Sequence, residues 1–323
     1  MQGAQLRAFT VLFGILIAVK CDGVSAQQKY PVKPVRLIVS TTPGSTPDIL
    51  ARLIGPKLSE TWNQPVVVEN RPGAGGVIAA TLVARAAPDG YTLTLLSPAF
   101  AIRAALIPNL PYDSLKDFAT VGEIGFSNTV LVVPPTLGVK SVKEFIAYAH
   151  ANPGKIFFGS AGVGTVAHMG GERFRFAAGI KAQHVGFKGQ SEFQIEIVAG
   201  RIHYGHTGLT AALGLIRDAK LQALAAAQRT ALLPDVPSYA ESLPGWGRDG
   251  TQSLLAPAGT PPAIRRQIST EVGRILNLPE IRQRLDAVSF NVTHSTPEQH
   301  ERNLRNDIAI FSKIVKDAGL RPN

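Results

Sequence analysis

The chain has 323 residues, of which 45% are apolar and 17% charged, with a formal net charge of +10. That length is ample for a substantial core and suggests two domains. The basic residues are scattered, with no Lys/Arg block and no interleaved aromatics, so composition gives no support to nucleic-acid binding.

The first 26 residues read as an export signal. Arg7 precedes the apolar run Phe9–Val19, and Val24-Ser25-Ala26 supplies the small residues of a cleavage site. That run is too short to span a bilayer as a helix, and no later run is long or uncharged enough. Cys21 is the only cysteine, and Lys20 stands before it where a lipoprotein would carry a small residue. Cleavage after Ala26 removes Cys21, so the mature chain has no disulfide and depends on a core. It also lowers the net charge by one, and the remaining excess would still draw in small anions.

Short apolar runs then alternate with amphipathic stretches. The strand VRLIVS (35–40) leads through a small polar turn into a helix over 47–60, for which Thr46 suits the N-cap and Pro47 the first helical position. Gly44 and Ser45 present backbone N–H groups at that terminus, the arrangement by which helices bind carboxylates and phosphates. Strands follow at 65–70, 91–97, 129–134, 155–160 and 220–227, and helices at 76–87 and 142–151, the latter opened by a capping box of Ser141 and Glu144. Thr260-Pro261 and Thr296-Pro297 open two closing helices, with Gly319 as the last C-cap. Such alternation predicts an α/β fold of βαβ units with mainly parallel sheets.

The segment after KIFFGS is a second strand–turn–helix element. Gly162-Val163-Gly164-Thr165-Val166-Ala167 matches the dinucleotide fingerprint, but the region Lys181–Gly189 lacks the acidic residue that would bind the ribose. What remains is a turn with free N–H groups and the hydroxyls of Ser160 and Thr165. There is no G-x-S-x-G elbow, and Glu69–Gly76 lacks the G-K-[ST] ending of a phosphate loop. His203 and His206, three residues apart on a strand, fall on opposite faces, with no cysteine or carboxylate cluster beside them, so no metal and no cofactor is expected. No nucleophile–base pair points to an enzyme.

The ordered motifs nevertheless resemble one family. YPVKPVRLIV (Tyr30–Val39), PGSTPDILAR (Pro43–Arg52), PVVVENRPGAGG (Pro65–Gly76), APDGYTL (Ala87–Leu93), LPYDSLKDF (Leu110–Phe118), HVGFKG (His184–Gly189), LLPDVPSYAESLPG (Leu232–Gly245) and LLAPAGTPP (Leu254–Pro262) are similar to the periplasmic substrate-binding proteins of tripartite tricarboxylate transporters, the Bug-type receptors. The resemblance implies a type II periplasmic-binding-protein architecture, with two α/β domains around a ligand cleft joined by strands near Thr129–Pro134 and Thr251–Pro257. The domains would be 27–128 plus 252–323, and 129–251. It further implies a monomer that binds a small organic acid and passes it to membrane permease subunits, or presents it to a sensor kinase.

Carried over residue by residue, the ligand site comprises Thr42, Gly44, Ser45, Thr46 and Asp48 in the first turn, and Ser160, Ala161, Gly162, Gly164, Thr165 and His168 in the second. Ser97, Arg103, Phe187 and His206 complete it. Departures from the family pattern stand out, Gly186 and Phe187 in HVGFKG among them. Ser45 replaces a glycine, Pro47 a threonine, His206 an aspartate and Arg103 an asparagine. The last two suggest a ligand with a second acidic group.

Overall fold

The computed structural model describes residues 30–321, apart from 245 and 247–249. The expected export signal and cleavage site lie outside these residues.

The first half contains β1 (Val35–Val39), α1 (Thr46–Trp62), β2 (Val66–Asn70), α2 (Val77–Ala84), β3 (Thr92–Leu96), α3 (Ala99–Leu106), β4 (Phe118–Ser127), β5 (Thr129–Val133) and α4 (Val142–Ala151). The second half contains β6 (Ile156–Ser160), α5 (Val166–Ala177), β7 (Ala182–Gly186), α6 (Gln190–Val198), β8 (Tyr204–Gly208), α7 (Leu209–Arg217), β9 (Gln222–Ala226), α8 (Tyr239–Ser242), β10 (Gln252–Pro257), α9 (Pro262–Leu276), α10 (Pro279–Ala287), β11 (Phe290–Val292) and α11 (Pro297–Asp317).

The strands form two sheets, ordered β11-β4-β10-β3-β1-β2 and β7-β6-β8-β5-β9. Both are mixed, which corrects the expectation of mainly parallel sheets. β1, β2 and β3 run parallel, as do β6, β7 and β8, but β4, β5 and β10 pair antiparallel with their neighbours. The cause lies in the chain path. It passes from the first sheet to the second between Ser127 and Thr129 and returns between Ala226 and Gln252, so β5 and β10, the strands that enter each sheet from the other, run against the βαβ strands, whereas β4 and β9, from which the chain leaves, run with them.

This path sets up the site. Val39 of β1 pairs beside Asn70 and Leu95, and β4 and β10 meet the same edge at Gly125 and Gln252. In the second sheet Ser160 of β6 pairs with Gly186, and Thr129 of β5 with Gly208. With only Asn128 between β4 and β5, the carboxyl edges of both sets of parallel strands adjoin one another, which is where open α/β sheets bind ligands. Asn128 pins the passage: its N–H donates to the Ser289 carbonyl, its carbonyl accepts from Leu209 N–H, and its amide exchanges two hydrogen bonds with Gln228.

Apolar burial holds each sheet to its helices. Leu131, Phe145, Phe158, Phe174 and Tyr204 are fully buried on one face of the second sheet, and Val130, Val132, Phe193 and Leu209 on the other. Met169 of α5 instead joins the cluster of Ile38, Leu96, Phe100 and Ile102, so α5 packs against helices of the first sheet.

Two helix starts correct the sequence reading by one residue. Ser45, extended at φ −75°, is the N-cap of α1, so Thr46 and Pro47 occupy its first and second positions. Likewise Pro261, not Thr260, caps α9. Thr165 and Thr296 do cap their helices, accepting from His168 N–H and Gln299 N–H. At α4, Ser141 accepts from Glu144 N–H, but the Glu144 carboxylate reaches back to Lys140 N–H rather than closing the box on Ser141.

Candidate ligand-binding site

The first turn is built around a buried carboxylate. Asp48, with 4% of its side chain exposed, accepts from Gly44 N–H at 2.9 Å, from Arg52 Nε at 3.0 Å and from Asn70 Nδ2 at 2.9 Å. Asn70 also donates to the Thr41 carbonyl. Burial pushes the Asp48 pKa up, but the hydrogen bonds from Arg52, Gly44 and Asn70 outweigh it and hold the carboxyl below its ordinary value. Gly44 itself adopts φ +81°, the left-handed conformation that glycine alone adopts without strain.

The turn's N–H groups are therefore not free in the way the sequence suggested. Gly44 N–H is held by Asp48, and Ser45 N–H donates to the Thr42 carbonyl. The N–H of Thr46, at the first helical position, has no acceptor among the described residues. The hydroxyls of Ser45 and Thr46 are anchored, Ser45 to Thr41 and the Thr42 carbonyl, and Thr46 to Ser127 at 3.3 Å.

The second turn repeats this plan with a different acceptor. Thr165 caps α5, Gly164 sits left-handed at φ +74°, and its N–H donates to Nδ1 of His168 at 3.1 Å. Position for position, Gly44, Ser45 and Asp48 correspond to Gly164, Thr165 and His168. A side chain in the first helical turn also reaches back at Lys140–Glu144 and Lys188–Glu192. What sets the two turns apart is the left-handed glycine, which turns the backbone onto the helix axis.

His168 is fully buried and faces His184, their ring centroids 3.9 Å apart. Burial, with help from the His184 and Arg175 charges, lowers the His168 pKa to about 3; burial lowers that of His184 to about 4. Both rings are thus neutral. Because Nδ1 of His168 accepts, its proton sits on Nε2, which is 3.8 Å from Glu172. Nε2 of His184 pairs with Ser160 Oγ at 2.7 Å, and that hydroxyl in turn accepts from Gly162 N–H. Sequence reasoning missed His184; its only signal was its place in the HVGFKG string.

Of the other expected residues, Ser97 lines a narrow crevice with Ser40, Gly75, Gly76, Phe100 and Tyr112. Phe187 donates its N–H to the Ser160 carbonyl and packs with the core below β7. Ala161 also packs there. Thr42 is exposed at the mouth of the first turn. His206 departs from expectation: it is buried, its Nε2 pairs with Thr129 Oγ1 at 3.2 Å, and its ring stacks 5.5 Å from Tyr239. Side-chain packing therefore takes this ring behind the strand edge. Asp48 and His168 likewise face inward, their acceptors taken up by turn N–H groups.

A separate cavity of about 510 Å³, lined by Phe126, Gln228, Arg229, Glu241 and Trp246 among others, lies by the returning passage and includes none of the expected residues. Among the described residues no cluster of metal-ligating side chains occurs, and no helix is long and apolar enough to cross a membrane.

Residues 50–320 match the family described as "Tripartite tricarboxylate transporter family receptor". The chain belongs to that family. Protein BugT of Bordetella pertussis is 31% identical over 323 residues, covering 98% of this chain and 97% of BugT. Among solved structures, R. palustris Rpa4515 with adipate is 31% identical with a TM-score of 0.73, covering 91% of this chain and all of that one. MatC from Rhodopseudomonas palustris with bound malate is 29% identical with a TM-score of 0.70, covering 88% of this chain and all of that one. The family is one of solute-binding receptors, and its members are periplasmic binding proteins.

Proposed function

We propose that this chain is an exported receptor that takes a small organic acid between the turns Gly44–Thr46 and Gly162–Thr165 and delivers it to a tripartite membrane permease. One observation carries the reading. Two helices, α1 and α5, begin with the same turn, a left-handed glycine whose N–H is held by the side chain four residues on, followed by a hydroxyl-bearing N-cap, so that each presents the positive end of its dipole beyond a parallel strand. The acids bound to Rpa4515 and MatC support a carboxylate as the ligand.

Ligand contact, directly or through water, falls to the Thr46 N–H, the Ser45, Thr46 and Thr165 hydroxyls and the backbone of Ala161–Gly164. Asp48, His168 and Ser160 act from behind by fixing the turns. In this reading the chain has two domains, 27–128 plus 252–323 and 129–251, one built on each sheet, which close on the ligand. The protein acts as a monomer and not as an enzyme, in the periplasm after cleavage at Ala26.

A melting-temperature screen of the mature chain against mono-, di- and tricarboxylates tests the reading. A ligand at a hundredfold excess over its Kd adds about 2.7 kcal/mol of stability, enough to raise the midpoint clearly. A screen in which no carboxylate shifts the midpoint would overturn it.

A further inference from the structure

Helix α3 touches the second ligand turn and carries a cation that no group among the described residues neutralises. A Cβ placed on Gly164 would come 2.6 Å from Leu106, so the last turn of α3 touches the second ligand turn. One helical turn earlier, Arg103 lays its guanidinium on Gly75, where a Cβ would approach Nη2 to 2.3 Å. Gly76 beside it abuts Ser40, which leads into the first ligand turn; a Cβ on Gly76 would lie 3.3 Å from that of Ser40. Arg103 is thus in reach of both.

Its surroundings leave it unpaired. The side chain is half-buried, its Nε is buried without a hydrogen-bond partner, and it forms no ion pair among the described residues. The neighbouring Tyr112 offers no counter-charge. Burial pushes that phenol up to about 12, against the pull of the Arg103 charge, so it stays neutral. A guanidinium drawn partly out of water without an acceptor is costly, and a ligand anion would remove that cost on binding.

We propose that Arg103 receives the second acidic group of the ligand, making this chain a receptor selective for dicarboxylates over monocarboxylates. The inference rests on the reading of the two turns as the seat of the first carboxylate. The planar fork of arginine holds a carboxylate through two parallel hydrogen bonds, a geometry that an amide or a lysine ammonium cannot reproduce. The Gly75–Gly76 segment lies between the guanidinium and the first turn, so the ligand is a diacid with a carbon spacer between its two groups.

Calorimetric titration of the mature chain with succinate, glutarate and adipate, each beside its monoamide and its monoacid, tests this. At least one diacid should bind about tenfold or more tighter than its own monoamide, the scale of a charge-assisted hydrogen-bond pair. In Arg103→Gln that ratio should fall below about threefold, with Arg103→Lys between the two. Urea midpoints check that the variants fold, and if Arg103→Gln does not, the Arg103→Lys ratio decides. Equal affinity for diacid and monoamide, or binding of monoacids alone, overturns the role of Arg103 and leaves the turn site standing. Binding of none of these acids overturns both.

Discussion

Asp48→Asn is the substitution that most directly probes how the first turn is made. The two side chains are nearly isosteric, so no cavity opens; what changes is charge and one acceptor. Asp48 accepts from Gly44 N–H on Oδ2, from Asn70 on Oδ1 and from Arg52 on both oxygens. Whichever way the new amide is oriented, its NH2 group must face Arg52 together with either Gly44 N–H or Asn70. Two donors then oppose a donor. At about 1–3 kcal/mol for each buried group left unsatisfied, the loss is about 2–4 kcal/mol, a sizeable part of the 5–15 kcal/mol typical of a folded protein. Urea unfolding should show a lower midpoint at an unchanged slope, and calorimetry should show weaker carboxylate binding because Gly44 is no longer held. The carboxyl pKa is lowered in the fold, so its contribution is complete above the unfolded value near 4 and is lost as pH falls through the folded value. The wild-type and variant stabilities should therefore converge in acid. A loss below about 0.5 kcal/mol, with binding unchanged, would refute this account of the turn.

Other outcomes follow from the same geometry. Gly44→Ala meets no atom within 4 Å but keeps φ at +81°, so strain alone should cost about 1–2 kcal/mol in chemical denaturation, and carboxylate affinity should drop with it. The buried neutral pair His168 and His184, with pKa values of about 3 and about 4, binds fewer protons than the unfolded chain below pH about 6.5. Stability should hold above that pH and fall below it, by up to about 1.4 kcal/mol per pH unit for each ring, with a shallower fall in His184→Gln. Met169 and Leu106 pack α5 onto α3, and if the domains close on the ligand as proposed, that packing opens to admit it. Small-angle scattering should give a smaller radius with saturating ligand than without, and identical radii would argue against closure.

The strands at 35–40, 65–70, 91–97, 129–134, 155–160 and 220–227 were legible because they are apolar runs, most of them buried in the sheets, although the one at 65–70 is an edge strand whose Val67 is exposed. β4 was not. Its sequence FATVGEIGFS carries Glu123, which is fully buried and accepts from Thr293 and Asn303 across long stretches of chain. β8, YGHTG, is read as a strand in the sequence only in weighing His203 and His206; with two glycines it has little propensity of its own and is held by its pairing with β5 and β6. Local propensity cannot announce partners supplied by distant residues. The same limit applies to the site. The turns were legible from their glycines, hydroxyls and helix caps, down to one residue in the N-cap. That Asp48, His168 and His206 face inward was not, because the direction of a side chain at a helix start depends on which N–H it captures. Arg103 stood out in the sequence only as a departure, and its contact with Gly75 follows from how α3 packs.

The central claim is that the two turns hold a carboxylate, and amide resonances report it most directly. The mature chain, labelled with 15N, is titrated with malate, succinate or adipate and its backbone N–H shifts are followed. The account predicts that the largest shifts fall on Gly44–Thr46 and on Gly162–Val166, with Arg103 and Gly75 responding to the diacids. Shifts concentrated instead around Phe126, Gln228, Arg229 and Glu241, at the cavity by the returning passage, would contradict it.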